Sequence, residues 1–322
     1  MTVRHPAPPL QRHQFAAPEP GPRLLVLGAV HGDETCGTRA IERLLGELQR
    51  GELELQCGLL TLVPVTNALA YQLGKRQGER NLNRNLRLHA APANYEDRVA
   101  NILCPWIAEH DVLLDLHSFH TAGVPFSMLG PPDNAGAIEA FSHAAAEQRM
   151  ALHLGTTRIV EGWMETYARG VARRQREGRV TAPDLLDNCY GVGTTEFART
   201  QGLYGITLEC GQHQDPQAPQ VAYHAIRQTL ALLGMVEAPL APPAPEIEVI
   251  RLVDVIDMEH AGDVFVREWA SFDRVSPGEL IGHRHDGTSV TAPQAGYIVF
   301  PNPGALVGNE WFYFGVESRR QL

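Results

Sequence analysis

The residues able to do chemistry stand in three short clusters, His31-Gly32-Asp33-Glu34, Asp115-Leu116-His117-Ser118 and Thr207-Leu208-Glu209-Cys210-Gly211. His31 and Glu34 are three residues apart where a helix is expected to begin, a spacing that lets both side chains reach one point. With His117 they make two imidazoles and one carboxylate. That is the ligand set of hydrolytic zinc sites that keep a fourth position for water, whereas Mg²⁺ prefers more oxygen. Glu209 adds a further carboxylate. Beside zinc-bound water, whose pKa falls to about 7, such a group takes the proton and later passes it to a leaving nitrogen. Glu209 is therefore the candidate general base and acid. Asp115, two residues before His117 and on the same side of a strand, is placed to accept the imidazole's other N–H.

A separate segment concentrates positive charge. Lys75 to Arg87 holds five cations and Glu79 as its one carboxylate, in a chain whose formal charge is -10. Lys75 is the only lysine, so nearly every cation is an arginine, able to grip a carboxylate with two parallel hydrogen bonds. Within Arg76-Gln77-Gly78-Glu79-Arg80-Asn81-Leu82-Asn83-Arg84, one arginine can polarise a scissile carbonyl while another holds a substrate carboxylate.

The elements that must position these groups can be read from the apolar pattern. Arg23 to Val30 is a continuous apolar run, as expected of a strand buried on both faces in a parallel sheet. Ala40, Ile41, Leu44, Leu45 and Leu48 recur at helical spacing, and Leu59 to Val65 is the next strand. Val99, Ile102, Leu103, Trp106 and Ile107 mark a second helix before the strand Val112–Leu116. Gly205–Leu208 is a further strand, and Val221 to Leu233 another helix. Alternating strands and helices predict an α/β domain with a mostly parallel or mixed sheet flanked by helices. In such sheets ligands gather beyond the carboxyl ends of the strands, where all three clusters fall.

Residues 1–22 contain six prolines and are expected to form an extended tail or edge lead-in. The catalytic domain is placed at 23–237. Four prolines between Ala238 and Pro245 predict a stiff linker. Beyond it, 246–322 carries short β-rich runs with Gly and Pro turns, expected to be a small all-β sandwich or barrel.

Composition excludes several classes. At 322 residues, 44% hydrophobic and 20% charged, the chain can bury a real core and is neither disordered nor fibrous. Its acidic balance has the wrong sign for holding nucleic acid or anionic lipid by its overall field. No run approaches 18 apolar residues, and the start lacks a signal-peptide core. Five scattered cysteines without a CxxC pair read as reduced thiols in a cytoplasm.

Taken in order over about 210 residues, HGDE, the spacing from Arg76 to Asn83-Arg84, DLH and LECG resemble the succinylglutamate desuccinylase/aspartoacylase family. The resemblance implies a zinc-carboxypeptidase-like α/β domain with an appended β domain, and removal of an acyl group from an N-acyl amino acid. It implies His31, Glu34 and His117 as ligands of one zinc ion and Glu209 as the catalytic carboxylate. It also implies Arg76 as carbonyl polariser, Asn83 with Arg84 as the grip on the α-carboxylate, and Arg199 as the grip on a side-chain carboxylate. HGDE replaces the HGNE of the desuccinylases, so neither the acyl group nor the amino acid is assigned. The expected partner is a small carboxylated N-acyl amino acid, with a homo-oligomer left open.

Two rivals stand beside this reading. A metallocarboxypeptidase would use the same metal and base but needs an open groove for peptides. A catalytically inactive small-molecule binder would keep the pocket without turnover. A biotin-type carrier fails because no lysine follows residue 75. Bland roles are expected elsewhere: His120 in a loop, His283 and His285 in an exposed turn, and Arg169, Arg173, Arg174, Arg176 and Arg179 on a solvated helix face or mobile loop. Tyr297 is a candidate for reaching the cleft from the β domain.

Overall fold

A computed structural model describes residues 9–178 and 183–322. Arg179 lies outside the described residues, and only its neighbours in the arginine cluster can be placed. The chain begins with β1 (His13–Ala16), β2 (Glu19–Gly28), α1 (Cys36–Gln49), β3 (Cys57–Val63), α2 (Ala68–Leu73), α3 (Tyr95–Ala108) and β4 (Val112–Phe119). It continues through β5 (Phe126–Met128), α4 (Ala144–His153), β6 (Arg158–Glu161), α5 (Trp163–Glu177), α6 (Thr194–Thr200), β7 (Tyr204–Gln212) and α7 (Ala218–Leu232). The C-terminal region adds β8 (Glu248–Asp257), β9 (Val264–Phe265), β10 (Arg274–Val275), β11 (Leu280–His283), β12 (Ser289–Thr291), β13 (Gly296–Val299) and β14 (Glu310–Glu317).

The main sheet runs β1-β3-β2-β4-β7-β5-β6-β8-β14-β13-β10. Its centre, β3-β2-β4-β7, is parallel, and β5 enters antiparallel to β7, so the sheet is mixed. Continuous apolar runs form the centre because both faces are covered. Leu24 and Val26 join the side chains of α1 and α7 on one face, while Leu25 and Leu27 join Val99, Leu103 and Ile107 of α3 on the other. Each fully buried leucine contributes on the order of 2 kcal/mol from burial.

At one end of the sheet, Phe15 of β1 lies opposite Leu60 of β3 in antiparallel register. Beyond the second proline cluster the chain is all β, in two parts. β8 pairs in parallel with β6 and is followed outward by β14, β13 and β10, which extend the main sheet, while β12-β11-β9 form a separate small sheet.

The arginines of α5 corrected one expectation. Arg174 is buried and donates to both oxygens of Asp257, at 2.9 and 2.6 Å, and Arg173 donates to Asp254 at 2.6 Å. These two clamp α5 to β8, while Arg169 and Arg176 stay on the expected solvated face; the periodicity that separates the two sides was hidden by the helix's high arginine content. Among the described residues, no helix is long and apolar enough to cross a membrane, and none of the five cysteines is in a disulfide.

Candidate metal centre and cavity

The site lies at the carboxyl ends of β2, β4 and β7. After β2, Ala29 adopts a left-handed φ of 46°, costing on the order of 1 kcal/mol, and the turn that follows brings His31 and Glu34 back over the sheet. Gly32 has to lack a side chain: a Cβ there would stand 2.0 Å from the Ala70 carbonyl carbon. His117 and Glu209 are direct register partners on β4 and β7. Neighbouring parallel strands lie about 4.8 Å apart with paired side chains on one face, so both point to the same side of the sheet.

His31, Glu34 and His117 are buried, and one ligand atom from each lies within 4.8 Å of the others. Nδ1 of His31 is 2.8 Å from Glu34 Oε1, and Nδ1 of His117 is 2.8 Å from Glu34 Oε2. The other ring nitrogens face acceptors: His31 Nε2 meets Asn81 Oδ1 at 3.0 Å, and His117 Nε2 meets Asp115 Oδ2 at 2.8 Å. Asn81 Oδ1 is identified as oxygen because it also accepts the Asn83 N–H at 2.9 Å, and Asp115 Oδ2 accepts Thr194 Oγ1–H.

In the neutral form each ring carries its proton on Nε2 and turns the Nδ1 lone pair toward one carboxylate. In that form three acceptors face one another, an arrangement that a cation between them would satisfy. Protons cannot supply that positive charge to both rings. Burial, with Arg76 nearby, holds His31 down to about 4, so it is neutral at pH 7. Burial also opposes charge on His117, but Asp115 and Glu34 outweigh it and hold that ring well above the ordinary range. The donor set and its pinned tautomers fit a divalent metal of the zinc type.

Glu209 is buried at the cavity wall, with Oε2 lacking a hydrogen-bond partner. Burial, reinforced by Glu34, pushes its carboxyl well above the ordinary range. Such a group is poised to exchange a proton. Arg76 donates to Glu34 Oε1 at 2.9 Å and lines the cavity, as do Asn83 and Arg84. Asn83 Oδ1 accepts the Thr194 N–H at 2.9 Å, which leaves its amide N–H groups as donors. Arg84 lies 5.0 Å over the Trp163 ring. Arg80 belongs to the scaffold of the basic loop: its Nε donates to Asp97 at 2.7 Å and its Nη1 to the Asn81 and Arg84 carbonyls.

Arg199 stands elsewhere. Its Nε donates to Glu147 at 2.9 Å, its Nη1 to Glu139 at 2.6 Å and Glu196 at 3.3 Å, and its Nη2 to the Gly205 carbonyl at 3.2 Å. It is buried and does not line the cavity. The spacing to Glu209 that suggested a substrate grip instead carries it across the α6–β7 turn into this cluster.

One guanidinium among three carboxylates leaves excess negative charge, and Glu139 is pushed up to about 7 by burial, with Arg199 opposing and Glu196 adding to the rise. A carboxyl raised in the folded state binds its proton more tightly folded than unfolded. Its stabilisation is full below the ordinary pKa of 4.5 and is lost as pH rises through about 7. The stability of the wild type against thermal unfolding is thus expected to fall between pH 5 and 8 relative to Glu139→Gln, by roughly 2–3 kcal/mol. A constant difference between the two proteins across that range would refute the assignment.

The cavity measures about 780 Å³ and its far wall comes from the C-terminal region, including Phe300, Asn309, Glu310 and Tyr313. His120 lines it as well, and its ring packs 4.4 Å from that of His213. Tyr297 does not reach in. Its hydroxyl bonds Glu248, and Tyr313 of the neighbouring strand takes the position at the cavity. Reading the sequence missed Asn81, Thr194, Glu310 and Tyr313. The only signal for Asn81 was its place between Arg80 and Asn83 in the basic segment.

Residues 20–233 match the family described as the succinylglutamate desuccinylase/aspartoacylase catalytic domain. A succinylglutamate desuccinylase of Pseudomonas paraeruginosa (strain DSM 24068 / PA7) is 28% identical over 307 residues, covering 90% of this chain and 82% of the relative. Among solved structures, the product-bound ectoine utilization protein EutE (DoeB) from Ruegeria pomeroyi is similar with a TM-score of 0.69 and 19% identity, over 95% of this chain and 88% of that one. A succinylglutamate desuccinylase from Silicibacter sp. TM1040 has a TM-score of 0.71 and 17% identity, over 96% and 89% of the two chains. At those identities the two structures share the fold.

Proposed function

Because this chain belongs to the succinylglutamate desuccinylase/aspartoacylase family, we propose that it hydrolyses the amide bond of an N-acyl amino acid, with His31, Glu34 and His117 holding one zinc ion. The observation that carries this reading is the pair of imidazoles pinned by Asn81 and Asp115 with both Nδ1 atoms turned to Glu34. When bound, zinc supplies Lewis acidity and lowers the pKa of water. Glu209 takes a proton from the attacking water at Oε2 and returns it to the leaving nitrogen. Arg76 donates to the oxyanion that develops on the carbonyl. Arg84, with the Asn83 amide, holds the α-carboxylate and sets the scissile bond in place. Asp115 keeps the His117 tautomer, and Arg199 is a scaffold residue. The unpaired thiols suit a cytoplasmic setting.

A cavity of about 780 Å³ is of the size that small-molecule sites have, whereas a peptidase needs a groove for an extended chain. Turnover of acetyl, succinyl and other acyl amino acids is to be compared with that of short peptides, using zinc-loaded protein. The N-acyl amino acids are expected to exceed peptides in kcat/KM by at least about tenfold, on the order of 1.4 kcal/mol in transition-state binding. Peptide cleavage without N-acyl hydrolysis would turn the assignment to a carboxypeptidase.

A further inference from the structure

The cavity contains an acidic group that the hydrolytic steps do not use. Glu310 opens β14 and directs its carboxylate at Arg84, with Oε1 3.6 Å from Nη2. That is an ion-pair distance, too long for a hydrogen bond, and the same oxygen is buried with no hydrogen-bond partner. The buried hydroxyls of Tyr167 and Tyr313 also lack hydrogen-bond partners, and both feel the Glu310 charge. Burial opposes ionisation of Glu310, but Arg84, with Arg174 and Arg76 behind it, holds its carboxyl below the ordinary range.

The residue expected to meet a second substrate carboxylate, Arg199, is enclosed by Glu139, Glu147 and Glu196 away from the cavity. Lys75 and Arg76 also line the cavity, but the group immediately beside Arg84 is the Glu310 carboxylate, where a second substrate carboxylate bound next to the first would need a cation. An acidic side chain would add like charge to a desolvated site, and unpaired like charges there are strongly unfavourable. An ammonium would supply the missing hydrogen-bond partner of Glu310 and separate it from the bound α-carboxylate.

From the juxtaposition of Arg84, Glu310 and the unpartnered Tyr313 hydroxyl, we propose that the N-acyl amino acid taken by this site carries a short cationic side chain, whose amino group is received by Glu310. The proposal rests on the N-acyl hydrolase reading and names its substrate class. Nα-acetyl derivatives of ornithine, norleucine and glutamate differ chiefly in the charge at the end of the side chain, so they isolate the effect.

In the wild type, kcat/KM for the ornithine derivative is expected to exceed that for the glutamate derivative by about 100-fold or more. Glu310→Gln should bring the ratio of ornithine to norleucine turnover to within about threefold of unity, and Glu310→Asp should restore part of it. Wild-type preference for the glutamate derivative would overturn the proposal, as would an unchanged ratio in Glu310→Gln, leaving Glu310 as a neutraliser of Arg84. Calorimetric binding of free ornithine and norleucine to the zinc-loaded proteins gives an arm independent of turnover. If no acyl amino acid is hydrolysed, the hydrolase reading fails, and calorimetry still decides. Tighter ornithine binding lost in Glu310→Gln supports the cation site, and equal binding of both amino acids overturns it.

Discussion

Replacing Glu209 with glutamine is expected to lower kcat for amide hydrolysis by about 10³-fold while leaving metal stoichiometry intact. The substitution keeps the shape of the side chain and removes its capacity to take a proton. Glu209 lines the cavity and its Oε2 has no hydrogen-bond partner, so the loss should appear in kcat and in kcat/KM alike, the signature of an interaction made in the transition state. Glu209 is not within the cluster of ligand atoms formed by His31, Glu34 and His117, which is why metal should stay. Stability should hold as well, since burial and Glu34 already disfavour the charged carboxyl and a neutral amide avoids that cost. A variant with near wild-type kcat would remove Glu209 from the chemistry. One that lost its metal would make it a ligand instead.

Substituting a ligand should have the larger effect on binding. A zinc affinity worth about 12 kcal/mol, shared over three protein ligands, loses about 4 kcal/mol with one, or roughly 10³-fold. His31→Ala and His117→Ala are therefore expected to emerge from dialysis without metal, whereas wild-type protein keeps close to one ion per chain. The upward shift in unfolding temperature that added Zn²⁺ produces in the wild type should vanish in both variants. Asp115→Asn tests the orienting contact to His117 Nε2, with an expected loss of about 10–100-fold in affinity rather than abolition. Stoichiometric metal in His117→Ala would show that the cation sits elsewhere.

The candidate site was legible because its residues stand at places that local pattern marks. Val26 and Leu27 before His31, Leu113 and Leu114 before His117, and Ile206 and Leu208 before Glu209 form apolar runs that can only be central strands, and a polar residue at the end of such a run lies at the sheet's carboxyl edge. Arg84 was legible as one of several arginines, yet its distinction from Arg80 was not. Both occupy one loop, and only the packing of α3 beneath it gives Arg80 to Asp97 while Arg84 turns into the cavity. Arg199 shows the opposite error: a spacing in sequence coincided with a role, and three glutamates from separate parts of the chain claimed the side chain.

What the sequence determined by itself is the chemistry available and the strands that present it, since ligand type, proton acceptors and apolar periodicity are properties of residues and their near neighbours. The tertiary structure decided which nitrogen of each histidine faces Glu34, which arginine reaches the cavity, and what forms its far wall. Those outcomes depend on contacts such as Asn81 with His31, Thr194 with Asp115 and Glu310 with Arg84. Each joins residues about fifty or more positions apart, and no periodicity along the chain records a pairing that exists only once the sheet has assembled.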